Sequence, residues 1–326
     1  MWQFALRRFL IMIPQLILLS LIVFLVAQAM PGDALTGLLD PNWDLERIAL
    51  ERARLGLDLP WYEQYWNWIV GIITEGDFGQ SFANRQSVTG VIGDRLGNTL
   101  RLAFFTLVII YLIGLPLGII SGRFHDTWID KLITMYTYVG FGMPLMVFGL
   151  LLLFVFGFDF FDLGFNFPTG GSVAPGMTSD DGLAYIWSRL HYMILPALSI
   201  GLISTVGTVQ YLRGEIIDME QREFIITVRA KGATENRVYN KHILRNSVLP
   251  IASFLGVQIA FLIGGTVMIE TVFSYPGIGG LFLQSVLSRD FSVMIALALL
   301  FGATTIVGSF LSDLIMMIVD PRIEIE

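Results

Sequence analysis

Glu223–Pro250 reads EFIITVRAKGATENRVYNKHILRNSVLP, a polar run in the second half of a 326-residue chain, with an apolar segment long enough to cross a membrane on either side. It opens with helix-favouring residues, breaks at Gly232 and resumes a helical pattern before Pro250. Two short helices joined by a glycine turn are therefore expected. Arg222, Arg229, Lys231, Arg237, Lys241 and Arg245 make the stretch basic. The rest of the chain reads as scaffolding around it.

Working outward, composition sets the class. A chain that is 55% hydrophobic and only 14% charged is too apolar for a soluble domain of this length, so it is read as an integral membrane protein. There is no cysteine, which excludes a disulfide framework and thiolate metal sites. A helix needs about 20 apolar residues to cross the hydrocarbon core, and six uncharged runs meet or approach that length. They are Phe9–Ala29, Leu102–Gly122, Leu132–Phe158, Tyr192–Leu212, Ser247–Ile269 and Phe291–Ser312. The first resembles a secretory signal in its Arg7-Arg8 start and Ala27-Gln28-Ala29 end, but signal cores are shorter, about 7–15 residues, so a retained span is expected. The expected fold is all-α: a polytopic membrane protein with six transmembrane helices, a cytoplasmic coupling loop over 213–249 and a long external insertion over 31–98. In domain terms, 1–30 is the N-terminus and first helix, and 99–326 the core of five helices.

Within the runs, Gly114, Gly118 and Gly122 recur at four-residue spacing, which lets helices approach closely and reads as a packing seam. Gly140, Gly142 and Pro144 cluster near the middle of the third run, where a kink beside a cavity is expected. Asp313 lies inside the last apolar stretch and is expected to be capped or snorkelling near the interface, facing protein where charged. His191 reads as an interfacial residue.

Between the runs, the insertion Pro31–Asn98 carries a charged helical pattern that Leu57-Asp58-Leu59-Pro60 ends. A second helix follows, with Trp61, Tyr65, Trp68 and Ile72 on one face. Such a helix lies at a bilayer interface or fills the core of a small external cap. Asp159–Arg189 reads as a second external loop containing a flexible Pro168-Thr169-Gly170-Gly171. Basic residues test the topology. Arg7, Arg8, Arg123, Lys131, Arg213, Arg322 and the six of the central stretch all fall on one side, against only Arg189 and Arg289 in the loops after the third and fifth runs. Both termini and the basic stretch are therefore expected in the cytoplasm.

Several function classes are disfavoured. The three lysines, Lys131, Lys231 and Lys241, are none of them preceded by glycine, so the chain has no phosphate-cradling Gly-Lys-Ser/Thr loop for ATP. No uncharged run offers the mid-membrane Asp, Glu or His of an ion-driven carrier. Neither His125, His191 nor His242 is followed by Glu, as a zinc protease motif would require. Energy for any transport must then come from outside the chain, and a stand-alone carrier or channel remains the competing class.

The order Glu223, then Ala230 and Gly232, then Asn246 and Leu249-Pro250 resembles the "EAA" loop of membrane permeases in ATP-binding-cassette importers. Arg229-Ala230-Lys231-Gly232 followed by His242-Ile243-Leu244-Arg245-Asn246 is similar to the dipeptide and oligopeptide branch, though Val228 stands where that branch usually has a second alanine. Leu55-Gly56-Leu57-Asp58, Gly76-Asp77-Phe78-Gly79-Gln80-Ser81-Phe82, Ser274-Tyr275-Pro276-Gly277-Ile278-Gly279 and Asp320-Pro321-Arg322 also look like that branch. The resemblance implies a subunit in a prokaryotic cytoplasmic (inner) membrane that carries no cofactor of its own. Its implied partners are a second homologous permease, two cytoplasmic ATP-binding subunits that bind ATP and Mg, an extracytoplasmic substrate-binding protein and membrane lipid, with no nucleic acid. Glu223, Arg229, Ala230, Lys231, Gly232 and Ala233 would couple to the ATPases. Small peptides are the implied cargo, with oligosaccharides, nickel complexes or glutathione as alternatives.

Overall fold

The apolar runs fold as helices because a segment without water must bond every N–H and C=O within itself. The computed structural model describes residues 2–29, 44–54, 56–81, 83–160, 162, 164, 166–264 and 266–319. The tail Asp320-Pro321-Arg322, the start of the insertion from Pro31, Leu55 and Phe82 lie outside the described residues.

In chain order, α1 is Trp2–Ala29, α2 Leu45–Arg54 and α3 Trp61–Glu75. Pro60 precedes α3, and Gly76 ends it in the left-handed conformation, φ 63°, which glycine takes at little cost. A two-residue hairpin, β1 (Gln80–Ser81) with β2 (Gln86–Ser87), leads into α4, Val88–Arg123. Then follow α5 (Trp128–Gly142), α6 (Leu145–Leu152, continued by a π turn to Gly157), α7 (Leu183–Glu220), α8 (Glu223–Ala230) and α9 (Glu235–Arg237). A π stretch, Val238–Leu244, carries α9 into α10 (Arg245–Gly264), and α11 (Val267–Val272), α12 (Ile278–Ser288) and α13 (Phe291–Val319) complete the order.

Five of these helical stretches are long and apolar enough to cross a membrane, and the pair Trp128–Gly142 with Leu145–Gly157 makes a sixth span if taken as one. That pair is bent by 107°, far beyond an ordinary proline kink. A residue before proline is pushed out of the helical region by the ring. Met143, ahead of Pro144, accordingly sits extended at φ −93°, ψ 118°.

Element boundaries differ from the expectation where packing rather than polarity decides them. α4 starts at Val88, well ahead of Leu102, because the Ser87 Oγ accepts the Gly90 N–H at 3.2 Å as an N-cap. Asn98 and Thr99 then hold the turn before α12: the Asn98 amide donates to the Pro276 carbonyl at 3.0 Å, and Thr99 accepts the Ile278 N–H at 2.9 Å. α7 begins at Leu183, inside the stretch expected as loop, and runs through Arg213 to Glu220. Pro250 lies inside α10 rather than opening it. α12 stands between the last two runs, where no helix was expected. Ile278, Leu281 and Ser285 are its buried stripe, at the three- and four-residue spacing that one helix face requires.

The described residues divide into two compact units, and α4 and α13 each begin in one and end in the other. In the unit of Trp2–Thr99 and Pro276–Val307, α3 lies along α1. Phe24 meets Tyr65 and Trp68 at ring separations of 5.5 and 5.8 Å, and the Ser20 and Tyr65 hydroxyls are 2.8 Å apart. Tyr65 and Trp68 of the expected face thus find a partner, while Trp61 of that face stays exposed, as do Tyr62, Trp66 and Ile73. Buried Asp290 accepts the Ser81 hydroxyl at 2.5 Å and the Ala83 N–H at 3.2 Å.

In the unit built on Leu100–Tyr275 with the end of α13, α7 is the central post against which α5, α6 and α10 pack. The glycine seam is real. A Cβ added at Gly114 would meet Thr208 at 3.3 Å, at Gly118 Leu212 at 3.0 Å and at Gly122 Ile216 at 2.8 Å. Gly256 of α10 and Gly308 of α13 cross backbone to backbone, and the Ser312 hydroxyl takes the Val257 N–H at 3.2 Å. The loop at Gly170-Gly171, expected to be flexible, is tied down: the Gly171 N–H donates to the Phe273 carbonyl at 3.2 Å. His191 lies against the ring of Phe167, and Asp313 is half-buried with bonded partners.

Candidate functional site

The site is the short helix α8 with the turn that follows it. Glu223 occupies its first turn, where a carboxylate faces the positive end of the helix dipole. The Lys231, Gly232 and Ala233 N–H groups return to the carbonyls of Thr227, Arg229 and Val228 at 3.1, 2.9 and 3.5 Å. This winding requires φ +77° at Gly232. A Cβ there would meet nothing within 4 Å, so backbone conformation and not crowding demands the glycine.

Arg229 spans the turn. Its guanidinium reaches Glu220 at the end of α7 at 2.8 Å and Glu235 at the start of α9 at 3.0 Å. Those hydrogen bonds, the one to Glu220 first, push the guanidinium above its ordinary range. Exposed pairs of this kind contribute about 0–1 kcal/mol each, so their role is to aim the turn.

Stability comes from beneath. Ile225 is fully buried among Leu212 and Ile216 of α7, Val238 and Ile243 of the π stretch, and Ile251 of α10. Burying one such side chain is worth about 1.5–3 kcal/mol. From α4, Arg123 donates to the Asn236 side-chain oxygen at 3.0 Å and lies 4.6 Å over the Tyr239 ring, and the Tyr239 hydroxyl donates to the Ile119 carbonyl at 3.1 Å. A further tie lies behind. Arg213 holds Asp130 through two bonds of 2.8 Å, and Ser121 also donates to that carboxylate, so the buried Asp130 carboxylate joins α4, α5 and α7.

Either side of that seat, α8 is open. Phe224 is 42% and Ile226 62% exposed, and Ala230, Lys231 and Gly232 are exposed beside them, with Ala233 half-buried. Of the six residues singled out in the sequence, Arg229 to Ala233 lie together at the turn, and Glu223 stands at the other end of α8. Gly140, Gly142 and Pro144 lie apart, at the bend between α5 and α6. Gly140 is a close contact with Val206, whereas nothing within 4 Å would meet a side chain at Gly142. Sequence reasoning passed over Phe224 and Ile226, whose signal was an apolar pair in an otherwise polar stretch. The Asp130–Arg213 and Arg123–Asn236 ties carry no sequence pattern. Among the described residues no group of His, Cys, Asp and Glu could hold a metal ion.

Membrane-spanning helices with a small helix seated against their ends through Ile225 define a polytopic integral membrane protein. The chain belongs to the family of binding-protein-dependent transport system inner membrane components, which matches residues 114–325, and the N-terminal domain of such membrane components matches residues 1–103. It is thus a multi-pass membrane protein and the permease of a binding-protein-dependent ABC importer. It is 35% identical over 325 residues to the oligopeptide transport system permease protein AppB of Bacillus subtilis (strain 168), covering 99% of this chain and 100% of that one. It is 33% identical over 323 residues to the glutathione transport system permease protein GsiC of Escherichia coli (strain K12), covering 99% of each. The solved inward-facing MetNI methionine ABC transporter shares the fold at TM-score 0.50 and 14% identity, over 71% of this chain and 97% of that one.

Proposed function

We propose that this permease moves small peptides across a prokaryotic cytoplasmic membrane, paired with a second homologous permease. Two cytoplasmic ATPases bind ATP and Mg and hydrolyse the nucleotide, and an external binding protein delivers the substrate. Both termini and residues 213–249 face the cytoplasm, 31–98 forms an external insertion, and 99–326 is the transport core. The observation that carries this reading is the two-sidedness of α8: Ile225 is locked into the bundle while Phe224, Ile226 and Ala230 are presented outward. A helix so seated turns with its span when an ATPase groove grips and moves it, a rigid-body transmission. Glu223, Arg229, Ala230, Lys231, Gly232 and Ala233 form the coupling turn, and the bend at Gly140, Gly142 and Pro144 borders the pathway. Glutathione, itself a small peptide, is the second cargo, favoured by the 33% identity to GsiC over nearly the whole chain.

Purified in mild detergent with its operon partners, the chain is expected to co-elute with a second permease and the ATPases. Ala230→Glu places a charge where the two surfaces close, and an unpaired buried charge costs about 3–5 kcal/mol. That variant should insert at normal abundance yet lose both uptake and ATPase co-purification. Uptake by proteoliposomes of this chain alone would instead make it a stand-alone carrier.

A further inference from the structure

α3 is divided into three sectors, and its contact with α1 shows which way it is turned. Tyr65 and Trp68 face α1. On the Tyr65 side of that contact α3 carries Tyr62, Trp66 and Ile73, spaced by four and then seven residues and so in one stripe. Trp66 is 65% and Ile73 76% exposed, and Tyr62 is exposed with them. On the Trp68 side it carries Gln64 and Asn67, which line a hollow of about 490 Å³ together with Arg52 and with Gln28 near the end of α1. From Gln64 to Thr74 it holds no charge.

Position along α1 sets the depth. Arg8 is the last charge before the apolar run. At 1.5 Å per residue, Ser20 stands about 18 Å beyond Arg8, Phe24 about 24 Å and Gln28 about 30 Å, the thickness of a hydrocarbon core. The Tyr65 hydroxyl meets that of buried Ser20 at 2.8 Å, and polar groups at such a depth are found paired. α3 therefore crosses α1 inside the end of the span, with Tyr65 at the deeper level and Gln64 and Asn67 at the level of Gln28. The stripe lies on the deeper side. At the same levels along α1, Leu18, Ile22 and Leu25 are exposed, as a surface against lipid requires.

We infer that α3 is seated in the bilayer, with Tyr62, Trp66 and Ile73 in lipid at the boundary between hydrocarbon and headgroups of the outer leaflet, and Gln64 and Asn67 in water. The partner of this face is the lipid surface. Tryptophan and tyrosine, each an apolar body with a polar tip, concentrate at that boundary, and an amphipathic helix lying in it buries its apolar side. The insertion is then not a wholly aqueous cap: the chain leaves the membrane after α1 and returns to it at α3 before α4 begins. The leaflet rests on the external placement proposed above, whereas the depth does not.

The cysteine-free chain allows a direct test in the assembled importer, reconstituted in vesicles of phosphatidylethanolamine and phosphatidylglycerol. Trp66→Cys, Ile73→Cys and Asn67→Cys are each labelled with the fluorophore NBD. At 66 and 73, lipid bearing a nitroxide on acyl carbon 5 should quench several-fold more than aqueous iodide, and at 67 the order should reverse. Positions 66 and 73 report independently, so loss of one variant to misfolding leaves the other. Iodide quenching at 66 and 73 equal to that at 67 would place the stripe in water and overturn the inference. Protection of both positions from both quenchers would show a cover of protein and overturn it equally. An impermeant thiol reagent at Asn84→Cys reads the side of the membrane separately, so an inverted topology would change that labelling and leave the nitroxide pattern in place.

Discussion

Ile225 and Ile226 are adjacent in sequence and opposite in consequence. Ile225 is fully buried against α7, the π stretch and α10, whereas Ile226 is 62% exposed. Ile225→Ala should remove about 2–5 kcal/mol of packing, loosening α8 from its seat and lowering the thermal stability of the purified complex. Ile226→Ala should leave stability within about 0.5 kcal/mol and reduce ATPase retention instead. Thermal melting and co-purification of the two variants separate the effects, and equal melting temperatures would mean that α8 is not seated by Ile225. Neither role is visible in a run of four letters, FIIT, because only the neighbouring helices decide which isoleucine is covered.

At the scale of the element, the turn after α8 depends on one backbone angle. Gly232 at φ +77° with open space around it predicts that conformation and not size governs substitution. Left-handed backbone costs other residues about 1–2 kcal/mol, least for Asn and Asp. Gly232→Asn should therefore retain most uptake, while Gly232→Val should lose it and release the ATPases, at unchanged membrane abundance. Uptake falling equally in both would point to a contact at the glycine itself. The glycine break and its two flanking helices were legible from residue order, since helix propensity and the left-handed preference of glycine are local. The continuation of the second helix through Val238–Leu244 into α10 was not. Pro250 suggested a stop, yet the helix that begins at Glu235 runs on through it, since spanning helices tolerate proline where neighbouring groups satisfy the freed backbone.

At the scale of the whole molecule, topology is the claim on which the coupling reading stands. Asn84, in the insertion proposed to be external, and Asn240, near the turn proposed to meet the ATPases, are both exposed. Asn240 is preferred to Asn236, whose side chain holds Arg123. With single cysteines at each, a membrane-impermeant thiol reagent applied to intact cells should label position 84 and miss position 240 until the membrane is opened. The reverse pattern would invert the protein and end the argument that α8 meets cytoplasmic ATPases.

Residue order alone made the helical membrane class, the six apolar runs, the glycine seam and the glycine turn after α8 legible, because hydropathy and glycine chemistry act locally and bilayer thickness sets a minimum length for a span. The tertiary structure decided what depends on neighbours distant in sequence. The clash of Pro144 with Met143 announced a bend, but its 107° is possible because Gly140 and Gly149 let α5 and α6 close on Val206 of α7 and Ile269 of α11. α12 emerged between the last two runs because burial of Ile278, Leu281 and Ser285 stabilises a helix too short to announce itself. Asp130 and Arg213 stand far apart in the chain, and only the packing of α5 on α7 makes them a pair. The hydrogen bond from Tyr111 to Gln258 likewise exists because α4 and α10 turn those residues toward each other, a matter of rotation about each helix axis that apolar runs without a strong amphipathic pattern leave to packing.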